Sequence, residues 1–473
     1  MTSTRSPEEG VGREVATMIL SKTRKKRLEA GHPWIFKNEV ERFDGEPEPG
    51  SVVAVVDHRG KFLASAYVNP ASQMIGRVVS RGPLERMDKD FFLQRLRICL
   101  ELRERFVEDP RNCRIAYGEA DFLPGLTVDR FGDTLVVQIV TLGMDRVREE
   151  IVEALVELFS PRTIYERSDV GIRALEGLEE RTGTLYGEEP SGTIAIRENG
   201  LEIEVDVVRG QKTGYFFDQR ENRAAIRPLM TGWGRRSGIA LRELAGEGGT
   251  SRVVPVNANS KEVTFPYWDG ATVLECFSHT GSFTLHACRY GAKKVTCLDI
   301  SEQAIETARR NVERNGFSER VEFVVANAFD YLREHAKGLE ERTARAKAGE
   351  AGAKVDTSKP LSGGAGRSWD VVILDPPAFA KNRGAVEGAC RGYKDINLHG
   401  MKLVNEGGFL VTASCSYHVR PDVFLETIHA AAEDAGKTLR LVEFRGAGKD
   451  HPQLLGVDEG NYLKFAIFEV RSR

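Results

Sequence analysis

The sequence predicts a multidomain protein in which a β-rich N-terminal part precedes a large α/β domain. At 473 residues the chain exceeds what one hydrophobic core normally organises, so two to four domains are expected. Short strand-like runs separated by turn residues fill the first part of the chain. From residue 271 onward, strand and helix patterns alternate, which is typical of a parallel sheet covered by helices.

Composition narrows the class of protein. The hydrophobic content of 41% and the charged content of 29% are those of a soluble globular protein. No apolar run approaches the roughly 20 residues of a membrane span, and the start MTSTRSPEEGVGREV has no apolar signal core, so we expect a cytoplasmic protein without membrane contact. Seven scattered cysteines without a C-x-x-C pair argue against a metal site and for a reducing compartment.

The N-terminal segment concentrates basic charge in a chain whose net charge is only −3. Strand-like runs at Val52–Val56, Phe62–Val68 and Ile75–Val79 predict a small β-barrel over residues 18–84. Aromatic residues follow the basic run, so the segment could track a phosphate backbone and stack bases, which indicates RNA. A solvated amphipathic helix is the alternative. The basic residues are Lys22, Arg24, Lys25, Lys26 and Arg27.

Residues 85–192 predict a central α+β domain. Helical spacing runs over 88–107, and three strand signals follow before a second helix at Asp145–Phe159 and a strand at Thr163–Glu166. This segment contains no recognisable catalytic constellation. We interpret it as a spacer or a substrate-gripping domain.

The stretch Ala271–Asp299 predicts a strand, a loop with Gly281, a helix and a second strand ending in Asp299. Such a unit holds a nucleoside-bearing cofactor, whose ribose hydroxyls donate to the acidic residue. The loop has one glycine instead of the three of a dinucleotide fingerprint, and Glu275 lies just before it. This carboxylate would repel a pyrophosphate and attract S-adenosylmethionine (SAM), which carries an ammonium and a sulfonium. An ordinary crossover with a solvated aspartate is the alternative.

Two other places could complete a SAM site. In RGQKTGYFFDQRENR, residues 209–223, Lys212, Gly214 and Asp218 could reach the carboxylate and amine of the methionine part. A hairpin turn packed by aromatic residues is the alternative there. Asn327 follows a predicted strand and is placed to contact an adenine edge, unless it is a plain turn residue.

Asp375 ends the apolar strand in WDVVILDPPAF, residues 369–379. The two prolines after it cannot continue a helix and fix a rigid loop at the carboxyl end of the strand, where ligands bind in open α/β sheets. A carboxylate there can accept a hydrogen bond from the amine of a base. Loops of the [DN]-P-P type are typical of methyltransferases that act on nucleobases.

Cys415 follows another strand in GGFLVTASCSYHV, residues 407–419. A thiolate that adds to carbon 6 of cytosine makes carbon 5 nucleophilic enough to accept a methyl group, which is covalent catalysis. The alternative is a buried structural cysteine, the usual fate of a free thiol. Its position beyond a strand that follows Asp375 favours the nucleophile.

The remaining features of residues 193–473 are a helix and two insertions. Residues 389–403, ACRGYKDINLHGMKL, predict the helix. Its residues Arg391 and Lys394 are expected either to contact RNA phosphate or only to cap the helix. Residues 231–262 lack a clean period, and residues 337–367 contain almost no large apolar side chains. Both predict exposed insertions, the second a flexible loop.

KTGYFFDQRENR, VLECFSHTGSF, LDPPAFAKN, ACRGYKDIN and SCS occur in the order found in the bacterial large-subunit ribosomal RNA cytosine-5 methyltransferase family. The chain resembles that family from about Leu20 to Val470, interrupted by the two insertions. HPWIFKNEV and NPASQMIGRVV resemble its PUA domain. The resemblance implies a PUA barrel, a central domain and a Rossmann-like methyltransferase domain that methylates carbon 5 of a cytosine in 23S rRNA with SAM.

The resemblance also implies site roles. Glu275, Phe277 and Gly281 would line SAM, Asp299 would hold its ribose, Asp375 would bridge cofactor and base, and Cys415 would be the nucleophile. Asn327 departs from the family, which usually has an acidic residue there. The insertions could reshape the RNA groove.

Three other functions remain open on the sequence alone. A guanine or base-amine methyltransferase also uses a [DN]-P-P loop but needs no thiol. A ribosome-assembly factor could keep the fold and bind RNA without catalysis. A dinucleotide oxidoreductase is the third, and the single-glycine loop disfavours it. As to oligomeric state, a homodimer is compatible with the sequence.

Overall fold

The computed structural model describes residues 16–233, 240–245, 251–257, 259–262, 270–347 and 366–473. The chain divides into two compact units. The first comprises the chain up to Ile194 with Asp206–Tyr215 and Asp450–Gly460; the second comprises Ala195–Val205, Phe216–Lys449 and Asn461–Arg473. Among the described residues, no helix combines the length and apolarity that a membrane crossing requires, and no three His, Cys, Asp or Glu side chains form a metal-binding group.

The first unit begins with a six-stranded mixed sheet in the order β2-β6-β5-β4-β1-β3, so β2 and β3 lie at its edges as in a half-barrel. β1 pairs with β4 in parallel, and the other pairs are antiparallel. Apolar side chains, including Met18, Val53 and Val55, fill its core. The strands are β1 Thr17–Leu20, β2 Trp34–Ile35, β3 Val40–Asp44, β4 Val52–Val56, β5 Phe62–Val68 and β6 Gly76–Ser80.

A five-stranded sheet with three helices follows, in the order β11-β10-β9-β8-β7. The side chain of Asp88 accepts a hydrogen bond from the backbone N–H of Phe91 and begins α1 where the sequence predicts a helix. The predicted helix 145–159 is two helices, since Val147 between them has φ −110° and ψ 29°. The elements are α1 Lys89–Phe106, β7 Asn112–Tyr117, β8 Leu126–Phe131, β9 Thr134–Ile139, α2 Leu142–Arg146, α3 Arg148–Phe159, β10 Thr163–Ser168 and β11 Arg181–Gly187.

Buried ion pairs support the core of the first unit. The Arg103 guanidinium donates to both carboxylate oxygens of Asp121 at 2.7 and 2.6 Å, and Arg114 does the same to Asp129 at 2.8 Å. Asp121 also accepts a hydrogen bond from the backbone N–H of Tyr117.

Two hairpins and a short helix precede the large sheet of the second unit. β12 pairs with β13, and β14 pairs antiparallel with β15, with Ala240 opposite Val256. The β14–β15 hairpin therefore lies within the insertion 231–262, for which the sequence shows no clean period. The elements are β12 Thr193–Glu198, β13 Leu201–Asp206, α4 Arg220–Ala225, β14 Ala240–Ala245 and β15 Ser251–Val256.

The second unit is built on a seven-stranded sheet in the order β18-β17-β16-β19-β20-β22-β21. The first five strands in this order are parallel, and β22 pairs antiparallel with both β20 and β21. The elements are β16 Thr272–Cys276, α5 Ser282–Arg289, β17 Lys294–Asp299, α6 Glu302–Arg314, β18 Val321–Val325, α7 Ala328–Lys347, β19 Trp369–Leu374, α8 Val386–Lys402, β20 Val404–Ser414, α9 Pro421–Asp434, β21 Lys437–Arg445 and β22 Lys464–Ser472.

This topology brings the predicted loops to one edge of the sheet. Parallel strands direct their carboxyl ends to the same side, and β16 and β19 are neighbours although 92 residues separate Cys276 from Trp369 along the chain. The chain runs outward from β16 through β17 to β18 and then returns to β19, so a topological switch lies between β16 and β19. Ligands bind in the crevice at such a switch.

One sequence prediction for this unit is partly wrong. The expected flexible loop 337–367 is helical up to Lys347, where α7 ends. Its residues EERTARAK are good helix formers, which outweighs the lack of large apolar side chains. Residues 348–365 lie outside the described residues.

Candidate active site

The loop after β16 has an unusual backbone. Phe277, His279 and Gly281 have positive φ angles of 63°, 47° and 78°. Non-glycine residues in this region cost free energy and cluster at functional sites. The loop therefore holds a defined shape at the carboxyl edge of the sheet.

Gly281 is required for packing as well as for its backbone angle. A Cβ atom built at Gly281 would lie 3.0 Å from Cβ of Ala308 in α6. The absence of a side chain thus lets α6 approach the start of α5.

Glu275 is buried and its carboxylate turns toward the beginning of α5. It accepts hydrogen bonds from the backbone N–H of Thr284, at 2.7 Å, and from the Thr284 hydroxyl. Burial raises the pKa of Glu275 to about 8, the Thr284 hydrogen bonds oppose the rise, and the charge of Asp375 adds to it. This carboxyl group is therefore coupled to Asp375 on the neighbouring strand.

Asp299 ends β17 and orders the loops around it. Its Oδ2 accepts from the backbone N–H of His279 and its Oδ1 from that of Ser301, both at 2.9 Å. The imidazole of His279 packs edge-on against Phe216 with the ring centroids 5.4 Å apart, and burial lowers its pKa. Asp299 thus connects the β16 loop to the start of α6.

Asp375 accepts a hydrogen bond from Nε2 of Gln219 at 2.8 Å. The Gln219 Oε1 accepts in turn from Nδ2 of Asn222 at 2.7 Å, and Asn222 accepts from Nε of Arg445 at 3.1 Å. Asn222 also donates to the carbonyl of Gly446. This chain of hydrogen bonds orients the carboxylate after β19.

Cys415 lies immediately after β20 and is half-buried. Its Sγ lies 3.8 Å from the carbonyl oxygen of Pro376, the residue directly after Asp375. The next hydroxyl, of Ser416, accepts from the backbone N–H of Ala380 at 3.1 Å and lies 2.9 Å from the Tyr393 hydroxyl. The cysteine turn and the D-P-P loop are therefore held together at one edge of the sheet.

Asp218 and Asn327 make other contacts within the second unit. Asp218 accepts from the hydroxyl of Tyr462 at 2.5 Å and is buried. Asn327 is exposed, and its Oδ1 accepts from the backbone N–H of Phe329 at 2.9 Å, which caps the start of α7. The capping geometry is that of the turn residue that the sequence offers as the alternative for Asn327.

Lys212 and Gly214 belong to the first unit, whereas the other predicted cofactor residues belong to the second. Lys212 is exposed and has φ 53°. A Cβ at Gly214 would lie 2.9 Å from the carbonyl oxygen of Asp206, so this glycine serves a close backbone approach. Their roles in cofactor binding stay predictions.

The N-terminal basic run is a turn segment and not the amphipathic helix of the alternative reading. Arg24 forms a bidentate pair with Glu29, with distances of 2.8 and 2.6 Å, and the guanidinium of Arg27 lies 4.7 Å from the centroid of Phe36. Both arginines therefore support the local fold. The side chains of three lysines are exposed to solvent, namely Lys22, Lys25 and Lys26.

Arg391 and Lys394 lie inside α8, which begins at Val386, so the proposed role of capping its start is wrong. Arg391 pairs with Glu387 at 2.5 Å, and Lys394 pairs with Asp434 at 2.7 Å. Both side chains are at least partly exposed, and their contact with RNA stays a prediction.

Sequence reasoning did not identify Gln219, Thr284 or Lys464. Gln219 stands directly after Asp218 in the motif from which Asp218 was selected, so the motif pointed to the right segment. Thr284 carries a signal, because a hydroxyl residue in the first turn of a helix can bond a nearby carboxylate. Lys464 lies at the start of β22 and carries none.

Known proteins resemble the chain over nearly its whole length. The ribosomal RNA large subunit methyltransferase I of Pseudoalteromonas translucida is 37% identical over 458 residues, which cover 96% of this chain and 99% of that protein. The protein of that name from Aliivibrio fischeri (strain ATCC 700601 / ES114) is 37% identical over 451 residues, covering 95% and 98%.

Domain models and solved structures agree with the architecture. A PUA-like domain model matches residues 18–81 and a methyltransferase domain model matches residues 273–338. A protein assigned as a methyltransferase and solved with SAH has a TM-score of 0.70 at 18% identity, covering 96% of this chain and 99% of that one. A structure from Streptococcus mutans, assigned as a SAM-dependent methyltransferase, has a TM-score of 0.67 at 19% identity with the same coverage. The predicted pairing of a PUA-like domain with a Rossmann-like methyltransferase domain is confirmed.

Proposed function

Because the chain belongs to the ribosomal RNA large subunit methyltransferase I family, we propose that it methylates 23S rRNA with SAM, and that the target is carbon 5 of a cytosine attacked by Cys415. The observation that carries the cytosine chemistry is the position of Cys415. Its sulfur lies 3.8 Å from the carbonyl of Pro376, next to Asp375. A thiol and a carboxylate directly after neighbouring strands suit two steps of this reaction, the attack on carbon 6 and the holding of the exocyclic amine.

The acceptor groups at the edge of the sheet fit SAM. Glu275 and Asp299 are carboxyl groups at the ends of β16 and β17, and both suit a cofactor that has an ammonium, a sulfonium and ribose hydroxyls. The ammonium would favour the ionised form of Glu275, whose pKa burial raises to about 8. Phe277 and Gly281, which lie in the loop between β16 and α5, would line the cofactor.

SAM supplies an electrophilic methyl group; the protein's side chains prepare the base. The Cys415 thiolate adds to carbon 6 of the cytosine, and the electron pair displaced from the double bond makes carbon 5 nucleophilic. Asp375, oriented by Gln219, accepts a hydrogen bond from the exocyclic amine and holds the ring. After carbon 5 is methylated, its proton leaves and the electron pair expels the thiolate, which restores the aromatic ring.

RNA contacts complete the proposal. The exposed lysines of the N-terminal turn, Lys22, Lys25 and Lys26, can neutralise phosphates without breaking an ion pair to any side chain in the part of the chain that the structure describes. Arg24 and Arg27 would contribute positive charge while they support the turn. On α8, Arg391 and Lys394 would exchange their carboxylate partners for phosphate. Because the proposed substrate is ribosomal RNA, we propose that the protein acts in the cytoplasm.

The decisive experiment compares wild type, Cys415→Ser and the control Cys390→Ser, which alters the other half-buried cysteine. Each is incubated with methyl-labelled SAM and ribosomal RNA, and the digested nucleosides are identified. We expect 5-methylcytidine from wild type and from the control, and none from Cys415→Ser. RNA containing 5-fluorocytidine should form a stable adduct with wild type and with the control but not with Cys415→Ser, since fluorine cannot leave as a proton does. A methylated guanine, or 5-methylcytidine from Cys415→Ser, would refute the proposal.

A further inference from the structure

Lys464 is a buried cation behind the cysteine turn. Its side chain is 0% exposed, and its Nζ donates to the carbonyls of Ser416 and Tyr462, both at 2.7 Å. In β22 it is the register partner of Ser414, the last residue of β20. Cys415 is therefore flanked on both sides by residues that Lys464 contacts or pairs with.

No carboxylate in the described part of the chain lies within ion-pair distance of this ammonium. Burial of an unpaired cation is costly, and stability alone would favour an apolar residue of similar volume. An ammonium has three N–H donors, and the two carbonyls use two of them. This arrangement leaves the ammonium able to interact with a negative charge that forms beside it.

The group beside it that can become negative is the Cys415 thiol. Burial lowers the pKa of Lys464 to about 8, and the charge of Cys415 opposes that fall. Tyr393, from α8, also faces this turn and bonds Ser416, but burial raises the pKa of its hydroxyl, so it stays neutral.

We propose that Lys464 is a positioning residue that fixes the turn Ser414–Ser416 and stabilises the thiolate of Cys415. As the thiol loses its proton, the negative sulfur gains a cation held by two carbonyls, so no side chain must move. The inference deepens the proposed function, on which it rests for the use of the thiolate. The same pairing would hold the sulfur ready for attack on carbon 6.

The test measures the rate at which iodoacetamide alkylates Cys415 between pH 5 and 10, by mass spectrometry of the modified peptide. Lys464→Gln keeps two N–H donors for the carbonyls and removes the charge, whereas Lys464→Arg keeps the charge. Cys390, in α8, is an internal control in every sample. We expect alkylation of Cys415 at pH 7 to fall about tenfold or more in Lys464→Gln, with the half-maximal pH shifted upward, and to change little in Lys464→Arg.

Two results overturn the inference: an unchanged pH profile in Lys464→Gln, or equal losses in both variants, which would assign Lys464 a role in turn geometry alone. If Lys464→Gln does not fold, lysine NMR of the Cys415→Ser variant replaces it. Removal of the thiol should lower the pH midpoint of Lys464, and an unchanged midpoint overturns the inference. Methyl transfer is measured separately. If Cys415→Ser still methylates cytosine, the proposed function is refuted, whereas the alkylation result for the thiolate still stands.

Discussion

Glu275→Gln should stabilise the second unit, and the gain should grow with pH. The carboxyl group is buried, and its pKa in the folded protein is raised from 4.5 to about 8. The folded state therefore binds a proton more tightly than the unfolded state does. The stability that this tighter proton binding contributes is fully present below pH 4.5 and is lost as the pH rises toward 8. Glutamine stays neutral and can still accept both Thr284 hydrogen bonds.

The magnitude follows from the difference between the two pKa values. About 3.5 pH units at about 1.4 kcal/mol each gives an upper limit of about 5 kcal/mol above pH 8, and about 3 kcal/mol at pH 7. Hydrogen exchange of peptides from β16 and α5 measures this, with wild type and variant compared at the same pH so that intrinsic exchange rates cancel. We expect exchange in the variant to be roughly 100-fold slower at pH 7 and nearly equal at pH 4.5.

The matched control is Glu313→Gln, which removes an exposed carboxylate on α6. It should leave exchange in β16 and α5 unchanged at every pH. If the ratio of the exchange rates of wild type and Glu275→Gln is the same at pH 5 and pH 8.5, burial does not raise the pKa of Glu275 and the prediction is refuted. The variant should also bind SAM more weakly, because the amide cannot pair with the ammonium.

Two other predictions concern the same edge of the sheet. Gly281→Ala should lower the free energy of unfolding by about 1–3 kcal/mol, because its Cβ would lie 3.0 Å from Cβ of Ala308 and its φ is 78°. Denaturant unfolding of both single variants and of the double variant with Ala308→Gly should show that the second substitution partly restores stability. Strictly additive losses would contradict the steric explanation. Gln219→Leu should lower kcat for methyl transfer about tenfold or more while isothermal titration shows SAM affinity within about threefold, because Gln219 donates to Asp375; an unchanged kcat would show that this hydrogen bond does not orient the carboxylate.

The placement of several candidate residues at one edge of the sheet could be predicted because polar residues follow apolar strands. Asp299, Asp375 and Cys415 each stand at or directly after the last residue of a strand, and parallel pairing brings those ends to one edge. The strand pattern therefore specified the neighbourhood without any knowledge of distances. The family resemblance added the chemistry of the base.

The direction of side chains could not be predicted in the same way. Gln219 reaches Asp375 across 156 positions of sequence, and no local pattern encodes such a contact. Glu275 turns toward Thr284, nine residues away, because the first N–H groups of α5 need an acceptor. The loop prediction for 337–347 relied on missing apolar residues and underweighted helix propensity.

The position of β22 has a consequence for how the enzyme is made. This strand lies between β20 and β21 although it follows both in sequence, and it carries Lys464 at its start. During synthesis, the edges of β20 and β21 that pair with β22 stay unpaired until residues 464–472 have left the ribosome. A nascent chain that lacks them has neither a complete sheet nor the buried ammonium of Lys464 behind the cysteine turn.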